Sequence, residues 1–274
     1  MPLIQQRSRI STPKIPRWPY RINPSSWQAN GLIGWYPLVG NLGYGYDFSL
    51  YGRNLDTNSG VTWTSDTEGG EVPLFDGASG LSSAAGNLYI PAAPRTFMIW
   101  AKPDVIADSD VFFEIELSGD RIQMRHHQTS GRWSVIMFDP GWNHPMATAS
   151  DQLAVAGEWH HHTILSRSTT DHEIYFDGIS AATSGTDSGY EHTSGVEISL
   201  GQENGGGDYY EGNLRDFRIY NYALSDSQLA EIHRNGHELF QEYGKRSYTF
   251  FDEPASAGLS IPVSMDSYRR RRVS

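Results

Sequence analysis

Two glutamates one residue apart, Glu114 and Glu116 in the run FFEIEL, are the first side chains whose type and spacing could carry a reaction. On a strand, positions i and i+2 share a face. Paired carboxylates serve as acid and nucleophile in glycosyl transfer when their carboxyl groups stand about 5–5.5 Å apart. The plainer reading is a polar strand face. A second group is His160, His161 and His162, with His126, His127 and His144 elsewhere. His160 and His162 share a face, and a third imidazole from another strand would complete a zinc set. The alternative is ordinary sheet histidines that pack or hydrogen-bond. Trp133, Trp142, Tyr190, Tyr209 and Tyr210 lie in or near loops rich in Gly, Asp and Asn, notably GGGDYYEG and DPGWNHP. There a flat ring stacks on a pyranose while neighbouring acids and amides bond its hydroxyls; packing of the rings against their own loops is the alternative.

Other chemistries are excluded. The chain has no Cys, which removes disulfide scaffolds, thiol nucleophiles, zinc fingers and iron–sulfur centres together. There is no G-x-S-x-G elbow, no phosphate loop and no H-E-x-x-H. The stretch from Gly205 to Asp208 follows a strand but opens no helix, so it reads as a loop and not as a nucleotide cradle.

The elements that must position these residues are mostly strands. Residues 31–219 read as segments of four to ten residues split by Gly, Asp, Asn and Ser clusters: GLIGWYPLV, VPLFDG, RTFMIWAKP, DVFFEIEL, RIQMRHH, WSVIMFD, EWHHHTILSR, HEIYFDG, VEISLGQ and LRDFRIYN. Val111, Phe113, Ile115 and Leu117 fall on one face; Thr96, Met98 and Trp100 oppose Phe97 and Ile99. About ten to thirteen strands with frequent turns predict an all-β, two-sheet antiparallel sandwich. One helix is signalled. Ser225 to Gln228 form a capping box between Leu224 and Leu229, Ile232 follows at helical spacing, and Gly236 marks the stop, predicting a helix over 226–235.

Charge divides the chain. Net charge is −11. Residues 1–30 carry Arg7, Arg9, Lys14, Arg17 and Arg21 with no acid and five Pro, which predicts an extended arm. Residues 31–240 hold ten basic and 28 acidic groups, a net of −18, which repels nucleic acid. Residues 241–274 hold six basic and four acidic groups and end in the block Arg269, Arg270, Arg271 and Arg272, a second arm. An acidic body with basic ends is complementary to further copies of itself or to an acidic partner. No apolar run reaches the roughly 20 residues that span a bilayer. Arg and Pro stand where a signal peptide carries its apolar segment, so no export signal is expected, and the absence of Cys favours assembly in a reducing cytoplasm.

The order GLIGWYPL, DFSLYGRNL, LFDGASGL, RTFMIWAKP, GEWHHHTIL, HEIYFDG, SLGQ and EGNLRDFRIYNYALSDSQLAEI resembles the laminin-G-like, concanavalin A-like jelly-roll family over roughly 31–240. The ends are similar to laminin-G-like proteins of tailed-phage structural gene clusters. The resemblance implies a jelly roll and a binding or assembly role more than catalysis. It also implies a structural Ca²⁺ held by an Asp of the first loop and an Asp before the RIYN strand, which match Asp47 and Asp216 here, with Asn54 as a helper. The alternative is that Asp47 caps a turn and Asp216 pairs with Arg53 or Arg218. Glycosidases on this fold resemble E-x-D-x-x-E; here Ser118, Gly119 and Asp120 follow Glu116, and the third acid is missing.

The expectation that follows is a non-enzymatic structural protein of a virus particle, a capsid decoration or other exposed virion component. Its arms would bind sister copies or the capsid protein. The alternative is a carbohydrate-binding, lectin-like adhesion module, and a glycoside hydrolase is a distant third.

Overall fold

The computed structural model of the chain describes residues 20–39, 45–66, 70–83, 90, 93–106, 110–117, 120–126, 132–138, 146–153, 155–184, 196–204, 207–235 and 240–242. All lie in the compact unit formed by residues 1–243. Its strands, in chain order, are β1 (Tyr20–Ile22), β2 (Leu32–Tyr36), β3 (Thr57–Asn58), β4 (Thr62–Asp66), β5 (Gly70–Asp76), β6 (Leu81–Ser82), β7 (Arg95–Pro103), β8 (Val111–Leu117) and β9 (Asp120–His126). They continue with β10 (Arg132–Phe138), β11 (Met146–Leu153), β12 (His160–Ser168), β13 (Asp171–Phe176), β14 (Ile179–Ser184), β15 (Glu197–Leu200), β16 (Glu211–Tyr220) and β17 (Phe240–Glu242). The helix α1 spans Asp226–Asn235, as its capping box predicts. The box is formed: Gln228 N–H donates to Ser225 Oγ at 3.3 Å and Ser225 N–H to Gln228 Oε1 at 2.9 Å.

Two antiparallel sheets stack as a jelly-roll sandwich. The seven-stranded sheet runs β11-β10-β9-β8-β15-β6-β3. The eight-stranded sheet runs β14-β13-β12-β7-β16-β5-β4, with β2 also on β16. The alternation read from the sequence is the one that builds the core. Phe113 and Ile115 of one sheet meet Phe97, Ile99 and Ala101 of the other, with Phe75, Leu214 and Phe217. Strands beyond the expected thirteen are two- and three-residue pairings, or polar runs such as β11 (MATASDQL) that have no apolar alternation to announce them.

The outer face of the eight-stranded sheet carries an apolar cluster that is covered. Leu229 and Ile232 of α1 are buried against Leu32, Trp35, Met98, Leu165, Tyr175 and Tyr220. Full burial of each aliphatic side chain contributes roughly 1.5–3 kcal/mol.

The N-terminal expectation needs a correction here. Residues 22–30 are not a free arm: Ile22, Trp27 and Ala29 pack on this same cluster, and Trp27–Ala29 form a 3-10 turn. Gln28 is buried, accepting from Arg218 Nη1 at 2.9 Å, and its carbonyl accepts from Tyr220 Oη at 2.9 Å. β1 pairs with β17 of the same chain. Residues 22–30 have no helical or alternating period, yet their few apolar groups are enough to bind them to the sheet. Arg7, Arg9, Lys14 and Arg17, and the block Arg269 to Arg272, lie outside the described residues, as does the side chain of Arg21.

Candidate functional site

The outer face of the seven-stranded sheet is the opposite of its partner. Because Phe113 and Ile115 of β8 enter the core, Glu114 and Glu116 point outward. The same alternation turns Arg121, Gln123 and Arg125 of β9 outward from Ile122 and Met124, and Glu197 and Ser199 of β15 outward from Ile198 and Leu200. Register aligns them in rows: Ser199, Glu114 and Gln123 across three strands, then Glu197, Glu116 and Arg121 beside them.

The segment that follows β15 folds back over these rows. Asn204 N–H donates to Glu114 Oε1 at 3.0 Å, and Gln123 Nε2 donates to Glu114 Oε2. Arg121 pairs with Glu203 and stands 3.6 Å from Glu114. Arg125 pairs with Asp208 at 3.1 Å, and Asn204 Nδ2 donates to Glu197 Oε2 at 3.4 Å.

Burial pushes the Glu114 carboxyl up to about 7, against the opposing charge of Arg121. Desolvation raises Glu197 too, helped by the neighbouring charge of Glu116. Asp208 rises through desolvation and the charge of Glu203. The result is a patch of planar carboxylate, amide and guanidinium groups fixed by one another. Such groups accept and donate paired hydrogen bonds without reordering.

The carboxylates that the sequence singles out are therefore together, with a further acid beside them. Glu197 stands opposite Glu116, supplied by a neighbouring strand and not by the same one. VEISL alternation puts Glu197 on the polar face, but only the β8–β15 register reveals its neighbour. Glu114 is buried and engaged by Gln123, Asn204 and Arg121, which is the arrangement of a polar strand face beneath a loop.

The histidines pack. His162 stacks on Phe112 with centroids 5.6 Å apart, and His161 lies tilted against Trp100 at 5.0 Å. His160 Nδ1 bonds Asp177 Oδ2 at 2.9 Å, and His126 Nδ1 bonds Asp110 Oδ2 at 3.0 Å. Burial holds His161 and His162 well below the usual histidine range. Among the described residues no three acids or histidines are grouped to hold a metal. His127 and His144 lie outside them.

The stacking rings read from the sequence divide. Tyr210 is corrected: it is fully buried, edge-on to Phe75 and Phe112, with its hydroxyl donating to the Asn213 carbonyl at 3.3 Å. No sugar reaches that ring. Tyr209 is half-buried in the segment over the polar face, bridged to Gln202. Trp133 lies on β10 without a described side chain, and Trp142 and Tyr190 fall outside the described residues.

The calcium set does not fit an ion. Asp47 Oδ1 accepts from Trp35 N–H at 2.9 Å and Ser49 N–H at 2.8 Å; Oδ2 accepts from Ser49 Oγ at 2.8 Å and Arg53 N–H at 2.9 Å. Asn54 Oδ1 is occupied by the Asp47 N–H at 3.1 Å. Asp216 Oδ1 accepts from Trp35 Nε1 at 2.9 Å and Arg218 Nε at 2.8 Å, and Oδ2 from Arg218 Nη2 at 2.6 Å. A cation seeks a ring of oxygens free to face it, whereas these oxygens face N–H and O–H donors and one guanidinium. Asp47 caps a turn and Asp216 holds Arg218, at a bulge of β16 where its own φ is +52°.

Comparison with known proteins agrees with this architecture. The model of the laminin G family described as the concanavalin A-like lectin/glucanases superfamily matches residues 75–230, more than half of the chain. Usherin of Rattus norvegicus is 23% identical over 155 residues, 52% of this chain but 3% of usherin. Among solved structures, domain 4 of AbnA, a GH43 extracellular arabinanase from Geobacillus stearothermophilus, in complex with arabinotriose, superposes with a TM-score of 0.58 at 16% identity. The match covers 74% of this chain and 98% of that domain. The ligand binding domain of botulinum neurotoxin serotype D, in complex with N-acetylneuraminic acid, gives a TM-score of 0.58 at 14% identity, over 75% of this chain and 51% of that one. At these identities the structures share the fold.

Proposed function

Because the chain belongs to the concanavalin A-like lectin/glucanases superfamily, we propose that it is a non-enzymatic carbohydrate-binding module. The observation that carries this reading is the polar outer face of the seven-stranded sheet. There Glu116 and Glu197 stand side by side, half-buried, with Arg121, Arg125 and Asp208 already held by ion pairs and Asn204 by hydrogen bonds around them. Sugar hydroxyls are recognised by such planar, pre-positioned acceptors and donors. Two structural neighbours with bound saccharides, arabinotriose and N-acetylneuraminic acid, support the choice of ligand class.

The test is titration of the full chain with arabinotriose, N-acetylneuraminic acid and a panel of neutral oligosaccharides by calorimetry. Binding in the roughly millimolar to micromolar range is expected, weakened by Glu116→Gln and Glu197→Gln. Absence of binding to every sugar overturns the reading. Release of reducing ends from a polysaccharide panel, lost in Glu114→Gln, would overturn its non-catalytic half.

A second reading rests on the charge distribution. In it the protein is a structural component of a virus particle whose basic ends, with the Arg269 to Arg272 block, dock on sister copies or a capsid protein across the acidic body. Sedimentation of the full chain against a variant with those four arginines changed to Gln tests it: a larger, salt-sensitive assembly formed by the parent alone is the expected result.

A further inference from the structure

Among the described residues, the rings most open to solvent are those of residues 46–53, between β2 and β3. Tyr46 is 49% exposed, Tyr51 59% and Leu50 83%. The loop carrying them is not slack. Asp47 accepts from Trp35, Ser49 and Arg53 at once, Phe48 N–H donates to the Trp35 carbonyl at 2.7 Å, and Tyr51 N–H donates to Ser49 Oγ at 3.2 Å. Arg53 closes the base: Nη2 donates to the Ile33 carbonyl at 2.8 Å, and its own carbonyl accepts from Tyr36 Oη at 2.8 Å. The Arg53 guanidinium lies 4.4 Å from the centre of the Tyr51 ring. That ring is thus backed by a cation while more than half of the residue faces water.

We infer that this loop is a saccharide-stacking site, with the exposed, cation-backed ring of Tyr51 as the platform, Tyr46 as a second ring of the same loop, and Asn54 and Asp56 at its border to bond hydroxyls. The inference rests on the carbohydrate-binding reading and gives it a second site, on the β2–β3 connection and not on the polar sheet face. The chemistry favours a sugar over other occupants. An aromatic ring held in place loses little freedom when the apolar face of a pyranose settles on it. Three exposed side chains on one short loop are far less than the roughly 800 Å² per partner of a stable protein interface. A chain of net charge −11 is repelled by an anionic bilayer surface.

The experiment titrates the full chain, and its Tyr51→Ala, Tyr51→Phe and Glu197→Gln variants, with arabinotriose, N-acetylneuraminic acid and neutral oligosaccharides immobilised on a surface. Thermal unfolding is followed in parallel, because an exposed ring can be removed without unfolding the sandwich. The expected result is an affinity at least about tenfold weaker in Tyr51→Ala, kept in Tyr51→Phe, with an unchanged melting temperature. Binding that is lost in Glu197→Gln but intact in Tyr51→Ala overturns the loop site and leaves the carbohydrate reading standing. No binding by the parent chain to any sugar overturns both. Retention on neutral or anionic vesicles, or a self-association constant, that falls in Tyr51→Ala while sugar binding does not also overturns the loop site, in favour of a lipid or protein contact.

Discussion

The two outer faces of the sandwich begin from the same alternating strands and end as opposites. On the eight-stranded sheet the outward positions are Trp35, Met98, Leu165 and Tyr220, and a helix with a 3-10 turn closes over them. On the seven-stranded sheet they are Glu114, Glu116, Arg121, Gln123 and Glu197, crossed by a short polar segment. Each face contains an arginine–carboxylate pair. Arg218–Asp216 is fully desolvated and also tied to Trp35 and Gln28; Arg125–Asp208 is half-exposed. What a charged pair does therefore depends on the face it occupies. Buried, it fixes the fold; half-exposed, it orients groups that a ligand can meet.

The sharpest way to break this contrast is to remove one carboxylate from each pair. Asp216→Ala strands a buried guanidinium and leaves the Trp35 indole without its acceptor, and is expected to destabilise the chain by about 3–5 kcal/mol. Asp208→Ala should cost no more than about 1 kcal/mol. Urea unfolding of both variants measures the difference, and equal losses would erase the distinction between the faces. Next in size is Leu229→Ala. It opens a cavity between α1 and the sheet and is expected to cost about 2–5 kcal/mol, with the lower end reached if Tyr175 and Ile232 close the gap.

Much of the apolar face was legible in advance because its signals are local. A capping box, Leu229 and Ile232 at helical spacing, and alternation in RTFMIWAKP mark which side chains turn inward whatever the strand order. The polar face was only half legible. Glu114 and Glu116 announce themselves, but Glu197 and Arg121 become neighbours through a β15–β8–β9 register that no local pattern specifies. Asp47 misleads for a different reason: a turn cap and a calcium ligand are the same residue type in the same kind of loop. Only the N–H donors around the carboxylate tell them apart. Tyr210 misleads because it stands in glycine-rich text yet lies edge-on to Phe75, while nothing in the run FSLYGRN marks Tyr51 as a ring that faces water.

Titration separates the faces by sign. On the covered face, burial keeps His161 and His233 neutral, each below its ordinary value of 6.5, with His161 further lowered by His233, Arg218 and Arg215. The unfolded chain takes up those protons first, so stability falls as pH drops below about 6.5. His233 stacks on Trp100 at 5.3 Å. His233→Leu keeps an apolar body at that place and is expected to flatten the acid limb of a melting-temperature profile. An unchanged limb would assign the acid sensitivity elsewhere.

The smallest effect belongs to the polar face and runs the other way. Glu114 is raised from its ordinary 4.5 to about 7 because burial disfavours its charge. The folded chain then holds this proton more tightly than the unfolded one. Its contribution is fully present below about 4.5 and is lost as pH rises through about 7. Glu114→Gln retains a side chain that can accept from Asn204 and face Gln123, but has no proton to lose. At pH 5 the variant should match the parent within about 1 kcal/mol, and between about pH 4.5 and 7 its stability should fall less steeply. Melting both proteins across that range reads the slope directly. If the slopes coincide, Glu114 is already ionised at pH 6 and Arg121 outweighs burial. The polar face would then be a set of settled ion pairs, with its ligand-binding charge constant across the physiological range.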